Sequence, residues 1–385
     1  MRAQHVGMVD FFKRIHVRQQ WPYMMIVLIP ILLITFWRIG IYVYAERKID
    51  LMLEKNRAHL NEIVCAEDAR NGLVLGEIVS QIYIDHELTS QLYVFNSVAS
   101  AFTRVGQVGS DEELYIAQTV LNQNQQFLKA INAEQNRGPV HYDFDLRDVY
   151  GAQLLHLNDI KNGAKLVYLQ YLVNMHHDQK DAAVDNLLKI MQLADSLKNE
   201  ASFESQRTRI NLTDDYILDP LQKAVDGGLF SEEQKLVLCE GLKRFPLAYE
   251  EVVKDCLIAQ QAGAAELPAD LSFDDYKLYF DEYVERDQFA TWQYMGVKHL
   301  DRCKVVAIHE ILISEVCAGN TNLMKFNHLI EALPHSYLVS RELLFGISPV
   351  VRSMKTQEKN VAEMIDALSV RSSKLARFSR EARTF

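Results

Sequence analysis

Histidines beside carboxylates are the first candidates for chemistry in this chain. They fall in two groups, His176-His177-Asp178 and, on a later stretch, His299, His309 and Glu310. Imidazole and carboxylate groups ligate transition metals. Adjacent helical residues point about 100° apart and a ten-residue gap is about three turns, so neither group holds one ion unaided. No His-Glu-x-x-His or Glu-x-x-His pattern supports them. We interpret both groups as structural, with His176 and His177 capping the end of a helix.

Paired carboxylates are the second candidates, because two acids side by side can act as general acid and base. The pairs are Asp143 with Asp145, Asp214 with Asp215, and Asp274 with Asp275. Each falls in a predicted loop or first helical turn, where acids satisfy free N–H groups. The chain has no Asp-x-Asp-x-Asp-Gly loop, glycine-rich phosphate loop, Gly-x-Ser-x-Gly elbow or dinucleotide fingerprint. The sequence therefore predicts no catalytic, cofactor-binding or metal-binding residues, and it leaves enzymatic activity open while favouring a non-enzymatic role.

The composition favours long helices. The 385 residues include 49% hydrophobic residues, 8 prolines and 16 glycines, and almost no stretch alternates as a strand would. The net charge is −10, and the Lys/Arg surplus is confined to the two ends of the chain, so the part between them is strongly acidic. A nucleic-acid binder needs a basic footprint. We therefore predict an all-α protein that does not bind nucleic acid.

The cysteines predict neither a zinc site nor a disulfide framework. Their number is odd and no Cys-x-x-Cys occurs among them: Cys65, Cys239, Cys256, Cys303 and Cys317. We expect all five to be buried, small apolar residues.

The stretch from Trp21 to Ala45 is the strongest signal in the sequence. Trp21 to Trp37 carries no charge, and apolar residues continue beyond Arg38. A bilayer core needs about 20 such residues in a helix. Aromatic residues lie near the two ends of the stretch, as in an interfacial belt, and one proline lies in its middle: Trp21, Tyr23, Trp37, Tyr42, Tyr44 and Pro30. We predict a single-pass membrane helix.

Three interpretations of this helix remain open. It is an uncleaved signal anchor, a signal peptide cleaved after Ala45, or a buried helix, and its length favours the anchor. The basic residues before and after it are nearly balanced, so they do not fix its orientation. The short N-terminal tail places the N-terminus in the cytoplasm and the rest of the chain in the periplasm. The expected location is the bacterial inner membrane.

The rest of the chain is divided by its helix and turn signals. The predicted domains are a basic tail 1–20, the membrane helix 21–45, a helical stalk or linker 46–84, an all-helical exported domain 85–350 and a basic helix 351–385. The first part of the stalk is alternatively the first helix of the domain. The predicted helices include 111–134, 151–177, 180–198, 200–226, 231–244, 247–262, 272–317 and 356–383. Helices 151–177 and 180–198 form a hairpin that approximates one tetratricopeptide-type unit, with a weak point at Asn162-Gly163.

Basic residues recur every third position near the end of the chain, at Arg371, Lys374, Arg377, Arg380 and Arg383. A basic amphipathic helix binds anionic lipid or an acidic partner. A solvated stripe is equally consistent with the spacing.

Two segments resemble a known group of proteins, namely His141-Tyr-Asp-Phe-Asp-Leu146 and the hairpin core Ala183-Val-Asp-Asn-Leu-Leu188 through Leu197. Residues from about 85 to 260 resemble uncharacterised single-pass, all-helical envelope proteins of planctomycete-type bacteria. This chain lacks the C-terminal pilin-like segment of many members. The resemblance implies an architecture and an envelope setting, and no reaction.

The function that the sequence favours is a membrane-anchored periplasmic module that binds another protein or a second copy of itself. Region 151–262 would supply the interaction surface. The alternative is a membrane-tethered hydrolase or metal-dependent enzyme, which bound metal in the purified protein would favour. A structural subunit of a larger envelope complex is the third hypothesis.

Overall fold

The computed structural model describes residues 17–64, 70–71, 82, 111–133, 140–142, 154–245, 249–266, 288–319, 324–333, 344 and 346–381. The elements in chain order are α1 (Val17–Val64), β1 (Arg70–Asn71), α2 (Asp111–Gln123), α3 (Gln125–Ala133), β2 (Val140–His141), α4 (Leu155–His176), α5 (Lys180–Asp195), α6 (Phe203–Thr213), a π turn (Asp214–Leu218), α7 (Asp219–Asp226), α8 (Glu232–Lys243), α9 (Tyr249–Glu266), α10 (Gln288–Cys317), α11 (Met324–Glu331) and α12 (Ile347–Glu381). β1 and β2 pair in parallel over two residues each. The predicted all-α fold is confirmed for these residues.

One apolar core forms around the hairpin of α4 and α5. Leu169 in α4 and Leu187, Ile190 and Leu193 in α5 are fully buried there. The hairpin turns at Asp178, whose φ of 57° is left-handed, and α2, α3, α6, α7 and α8 surround it. The hairpin is as predicted, while its likeness to a tetratricopeptide unit remains a prediction.

Several predicted helix boundaries were wrong. No break occurs at Asn162-Gly163, because Gly163 is buried inside the continuous α4 and packing outweighs the helix penalty of glycine, about 1 kcal/mol. The predicted helix 111–134 is interrupted at Asn124, and the predicted helix 200–226 contains the π turn. α12 begins at Ile347 rather than near 356, since proline is tolerated in a first helical turn.

Other local predictions were confirmed. Ser231 caps α8 with a reciprocal capping box to Gln234. The predicted stop at Gly227-Gly228 ends α7, and Gly228 has a φ of 62°. Cys239, Cys256 and Cys303 are buried, but Cys317 is exposed at the last turn of α10, which corrects the expectation that all cysteines are buried. Cys65 lies outside the described residues.

A second apolar core combines α9, α10 and α11 with the second half of α1. α12 joins the two cores: Val351 and Met354 lie in the second core, and Val361 and Met364 lie in the first. Between these pairs, Gln357 is fully buried and donates from Nε2 to the Ile210 carbonyl oxygen over 3.2 Å. One helix therefore fixes both cores relative to each other.

Gly241 of α8 lies against two side chains of α5. A Cβ at this position would lie 2.7 Å from Cδ2 of Leu188 and 3.1 Å from Sδ of Met191. We expect Gly241→Ala to lower the free energy of unfolding by about 1 kcal/mol, because overpacking outweighs the gain in helix propensity. Urea unfolding measures this.

The matched control is the double variant Gly241→Ala/Leu188→Ala, in which the clashing side chain is removed. We expect the alanine at 241 to be neutral or stabilising in that background. Strictly additive effects of the two changes would contradict the proposed contact.

Candidate functional site: the helix layer next to the apolar half of α1

α1 has an exposed apolar half and a half that packs in the domain. Residues from Met25 to Gly40 are all exposed, and the helix from Met25 to Ile63 is long and apolar enough to cross a membrane. The first buried residue is Ala45, followed by Ile49 and Met52. These positions are spaced by four and three residues, the pattern of a helix packed along its length.

The buried half of α1 packs on α9 and α10. Ala45, Ile49 and Met52 lie in one cluster that also contains Ala264, Ala265, Cys303, Val305 and Val306. Small residues on α9 let the helices approach closely. The first part of the predicted stalk is thus integrated into a layer of three helices, α1, α9 and α10, which we call the helix layer.

Side-chain hydrogen bonds fix the helix layer at its centre. The Asn56 side-chain amide donates to Oε1 of Gln261 over 2.7 Å and to Oε2 of Glu310 over 3.1 Å, and Lys55 donates to Oε1 of Glu310 over 2.9 Å. Gln261 is fully buried and donates to the Val306 carbonyl oxygen over 3.2 Å. Burial by itself would raise the pKa of Glu310, but the hydrogen bonds from Lys55, Gln261 and Asn56 together lower it.

Charged pairs lie on either side of this centre. Arg302 donates to Oε2 of Glu46 over 2.7 Å on the side of the exposed apolar half of α1. On the far side, the His59 ring lies 2.7 Å from Oδ1 of Asp255. Burial raises the pKa of Asp255, and the contact with His59 only partly opposes this shift. α1 is therefore held to α9 and α10 over more than three turns.

His309 lies buried inside the helix layer, where its side chain is fully covered. Its Nδ1 donates to the Val305 carbonyl oxygen over 3.0 Å, and its Nε2 lies 3.2 Å from the Gln260 side-chain amide. Burial lowers the pKa of His309 to about 4, so the ring is neutral at physiological pH. This agrees with the structural interpretation of His309.

The predicted anchor residues all lie in α1. Trp37, Tyr42 and Tyr44 are exposed, and Pro30 lies within the uninterrupted helix. Trp21 and Tyr23 belong to the helix, but the structure does not describe their side chains. The ring of Tyr42 makes an edge contact with the ring of His299 at 4.9 Å.

The predicted basic row falls mostly within α12. Arg371, Lys374, Arg377 and Arg380 are helical, although their side chains lie outside the described part of the chain, and so does Arg383 entirely. The choice between a lipid or partner contact and a solvated stripe stays a prediction.

Among the predicted acid pairs, Asp214 and Asp215 lie in the π turn in the middle of a long helix. This corrects their assignment to a loop or first turn. The pKa of both is raised, mainly by burial. The pairs Asp143–Asp145 and Asp274–Asp275 fall outside the described residues. His176 and His177 do lie at the C-terminal end of α4 as predicted. No group of three His, Cys, Asp or Glu side chains with metal-binding geometry occurs in the described ranges.

The structure also assembles a polar cluster that the sequence did not predict. His156 Nε2 lies 2.8 Å from Oε1 of the buried Glu200, and the His156 ring stacks on Tyr142 at 4.4 Å. The Tyr142 hydroxyl lies 3.2 Å from Oγ of Ser196, which donates to the Leu193 carbonyl oxygen over 2.7 Å. The Ser196 hydroxyl is thus directed at a backbone carbonyl oxygen, and the His156 ring at a carboxylate. The cluster connects β2 to α4 and α5, and its members are too scattered in sequence to form a motif.

No family model matches the chain, and neither the curated proteins nor the solved structures include one that is similar to it. The resemblance to single-pass envelope proteins therefore stays a prediction.

Arg209 is a buried charged residue outside the helix layer. Arg209 is 1% exposed, its Nη2 lies 3.5 Å from Oδ1 of Asp195, and its guanidinium lies over the Phe245 ring at 4.7 Å. Burial lowers the pKa of Arg209 to about 10, against the opposing charge of Asp195. Burial also raises the pKa of Asp195, although Arg209 and Lys198 oppose this shift. Both members of the pair are therefore pushed towards their neutral forms, which is the pattern of a pair that is costly to bury.

Proposed function

We propose that the protein is an integral membrane protein that α1 anchors, with its N-terminus in the cytoplasm and its helical domain in the periplasm, where the domain acts as a protein-interaction or scaffold module of an envelope complex. One observation carries the proposal: α1 continues without a break from an exposed apolar half into the helix layer.

The exposed half of α1 is suited to lipid rather than to water. A continuous run of exposed apolar residues is unfavourable in a soluble domain and is typical of a membrane span. The same exposure argues against the buried-helix interpretation. Cleavage after Ala45 is disfavoured as well, since Ala45 is helical and completely buried.

A membrane helix whose second half is packed in the domain holds the domain at a defined height above the bilayer. The contacts of Glu46, Asn56 and His59 prevent the second half of α1 from acting as a loose tether. This suits a scaffold that presents a surface at a constant height. The hairpin region 151–262 supplies that surface, and within it the adjacent Leu236 and Val237 of α8 are 50% and 44% exposed.

Membrane integration and orientation are tested on the full chain. We expect the protein to stay in the pellet after alkaline carbonate extraction, and a reporter fused after Phe385 to be active only when exported. Release into the supernatant would overturn the anchor, and a reporter that works only in the cytoplasm would overturn the orientation.

The scaffold function is tested by extraction of native membranes in mild detergent. We expect a complex larger than the monomer, and Leu236→Ser/Val237→Ser should weaken it about tenfold, because two apolar contact residues are lost. The matched control is Tyr115→Ser, which removes a 70% exposed side chain from α2, outside the proposed surface. A wild-type protein that emerges alone and monomeric would contradict the proposal.

A further inference from the structure

The Arg209 guanidinium leaves nearly all of its hydrogen-bonding capacity unused. Within the described part of the chain, no group accepts a hydrogen bond from its Nε, Nη1 or Nη2. Asp195 is its partner in an ion pair, but Oδ1 lies 3.5 Å from Nη2, whereas charge-assisted hydrogen bonds are about 2.7–2.9 Å long. A fully buried arginine is normally paired, and often through two parallel N–H groups. Arg209 is 1% exposed and makes only this one long contact with a carboxylate among the described residues.

Two buried hydroxyl groups on the same face of α6 are likewise unused. Ser205 Oγ and Thr208 Oγ1 have no hydrogen-bond partner in the described ranges, and the two residues are 0% and 1% exposed. Successive helical residues are about 100° apart, so Ser205, Thr208 and Arg209 fall within about 100° of one another around the helix. Buried polar groups without a protein partner are rare and indicate a bound water, ion or ligand. The three residues together indicate a polar site on this face of α6.

The charges around Arg209 do not balance. Arg209 and Lys198 both act on Asp195 and oppose the burial that raises its pKa. Asp195 is in turn the charged group that acts on Arg209. One carboxylate therefore faces two cations, and an excess of buried positive charge is costly. The ligand that complements this arrangement is an anion rather than a cation.

Asp195 lies on the solvent side of the guanidinium. Its side chain is 39% exposed, whereas the Arg209 side chain that it contacts is 1% exposed. A rotation of the Asp195 side chain towards solvent therefore uncovers Arg209 without the movement of a helix. The guanidinium itself is held in place, because it lies over the Phe245 ring at 4.7 Å from the ring centroid. A ligand carboxylate can thus take the place of the Asp195 carboxylate.

We propose that Arg209 binds a small carboxylate ligand, of about the size of acetate, and that Asp195 is the internal carboxylate that this ligand displaces. The ligand pairs with two N–H groups on one edge of the guanidinium, the geometry that arginine and carboxylate groups match best. A guanidinium that is 1% exposed is too enclosed for a group on another macromolecule, so the ligand is a free small molecule. This site is independent of the membrane anchor and of the scaffold function.

Thermal unfolding of the full chain in mild detergent tests the site. A ligand that binds only the folded state stabilises it, so sodium acetate at about ten times its Kd should raise the Tm by about 2 °C. Sodium chloride at the same concentration is the control for ionic strength. An equal Tm in the two salts would overturn the proposal, and so would a larger rise in sodium phosphate of matched ionic strength.

A variant of Asp195 tests its role as the internal competitor. Asp195→Asn removes the competing carboxylate at nearly the same side-chain volume, so acetate should bind about tenfold more tightly than to the wild-type protein. The matched control is Asp185→Asn, which removes an exposed carboxylate from the same helix and should leave the acetate affinity unchanged. Equal gains in the two variants would mean that only net charge matters, and the proposed displacement would be wrong.

The double variant Asp195→Ala/Arg209→Met tests whether Arg209 itself holds the ligand. Removal of both members of the pair avoids a buried charge without a partner, which protects against a variant that does not fold. We expect this variant to have the same Tm in acetate and in chloride. A rise in acetate equal to that of the wild-type protein would overturn the assignment of the site to Arg209.

Discussion

Replacement of Asp195 with alanine is expected to lower the free energy of unfolding by about 3 kcal/mol, because it leaves the Arg209 guanidinium buried without its counter-ion. Arg209 is 1% exposed and has no alternative carboxylate among its described ion pairs. This expected loss is at the lower end of the range for breaking a buried ion pair, because the side chain of Asp195 is 39% exposed. Urea unfolding monitored by circular dichroism measures the change.

The double variant Asp195→Ala/Arg209→Met gives the opposite expectation. Burial shifts the pKa of both charged groups towards the neutral form, so an apolar replacement of the pair should recover most of the lost stability. Asp185→Ala is the matched control, because Asp185 is an exposed carboxylate on the same helix and its loss should cost less than about 0.5 kcal/mol. A double variant that is less stable than Asp195→Ala would contradict this interpretation.

Acid is expected to destabilise the protein through His309. Burial lowers the pKa of His309 from 6.5 to about 4 in the folded state, so the folded state favours the neutral ring. The resulting stability is fully present above pH 6.5 and is lost as the pH falls from 6.5 to about 4. A difference of this size is equivalent to about 3 kcal/mol for a fully buried group. Unfolding by urea at a series of pH values measures the loss.

His309→Gln separates this contribution from the titration of the carboxyl groups. Acid also removes the contribution of Glu310, whose pKa is lowered, whereas Asp195 and Asp255, whose pKa values are raised, favour the folded state in acid. These groups are common to both proteins. The wild-type protein should therefore lose about 3 kcal/mol more than His309→Gln between pH 6.5 and 4. Parallel pH profiles would show that the imidazole of His309 titrates normally.

Local patterns in the sequence were sufficient to predict much of the secondary structure. The capping box at Ser231 and the stop at Gly227-Gly228 were predicted because caps and left-handed turns depend on a few neighbouring residues. The π turn at Asp214 was not predictable. It adds one residue to a helical turn, and only contacts from other elements, such as Gln357 of α12, reveal where that residue is accommodated.

The buried face of α1 was likewise not predictable from local sequence. Leu51 is 65% exposed, while its neighbour Met52 is buried. Both residues are apolar, so composition does not distinguish them. The positions of α9 and α10 decide which one is covered, and their partners are about 200 to 250 residues away in sequence.

The sequence by itself determined that the chain is helical and that one N-terminal helix is apolar enough to cross a membrane, because hydrophobic periodicity and length are local properties. The tertiary structure decided that this helix continues into the domain and that Asn56, Gln261 and Glu310 meet. These features depend on pairs of helices that are distant in the chain. The burial and the register of these helices arise only when the cores assemble. For that reason no short sequence motif predicts these features.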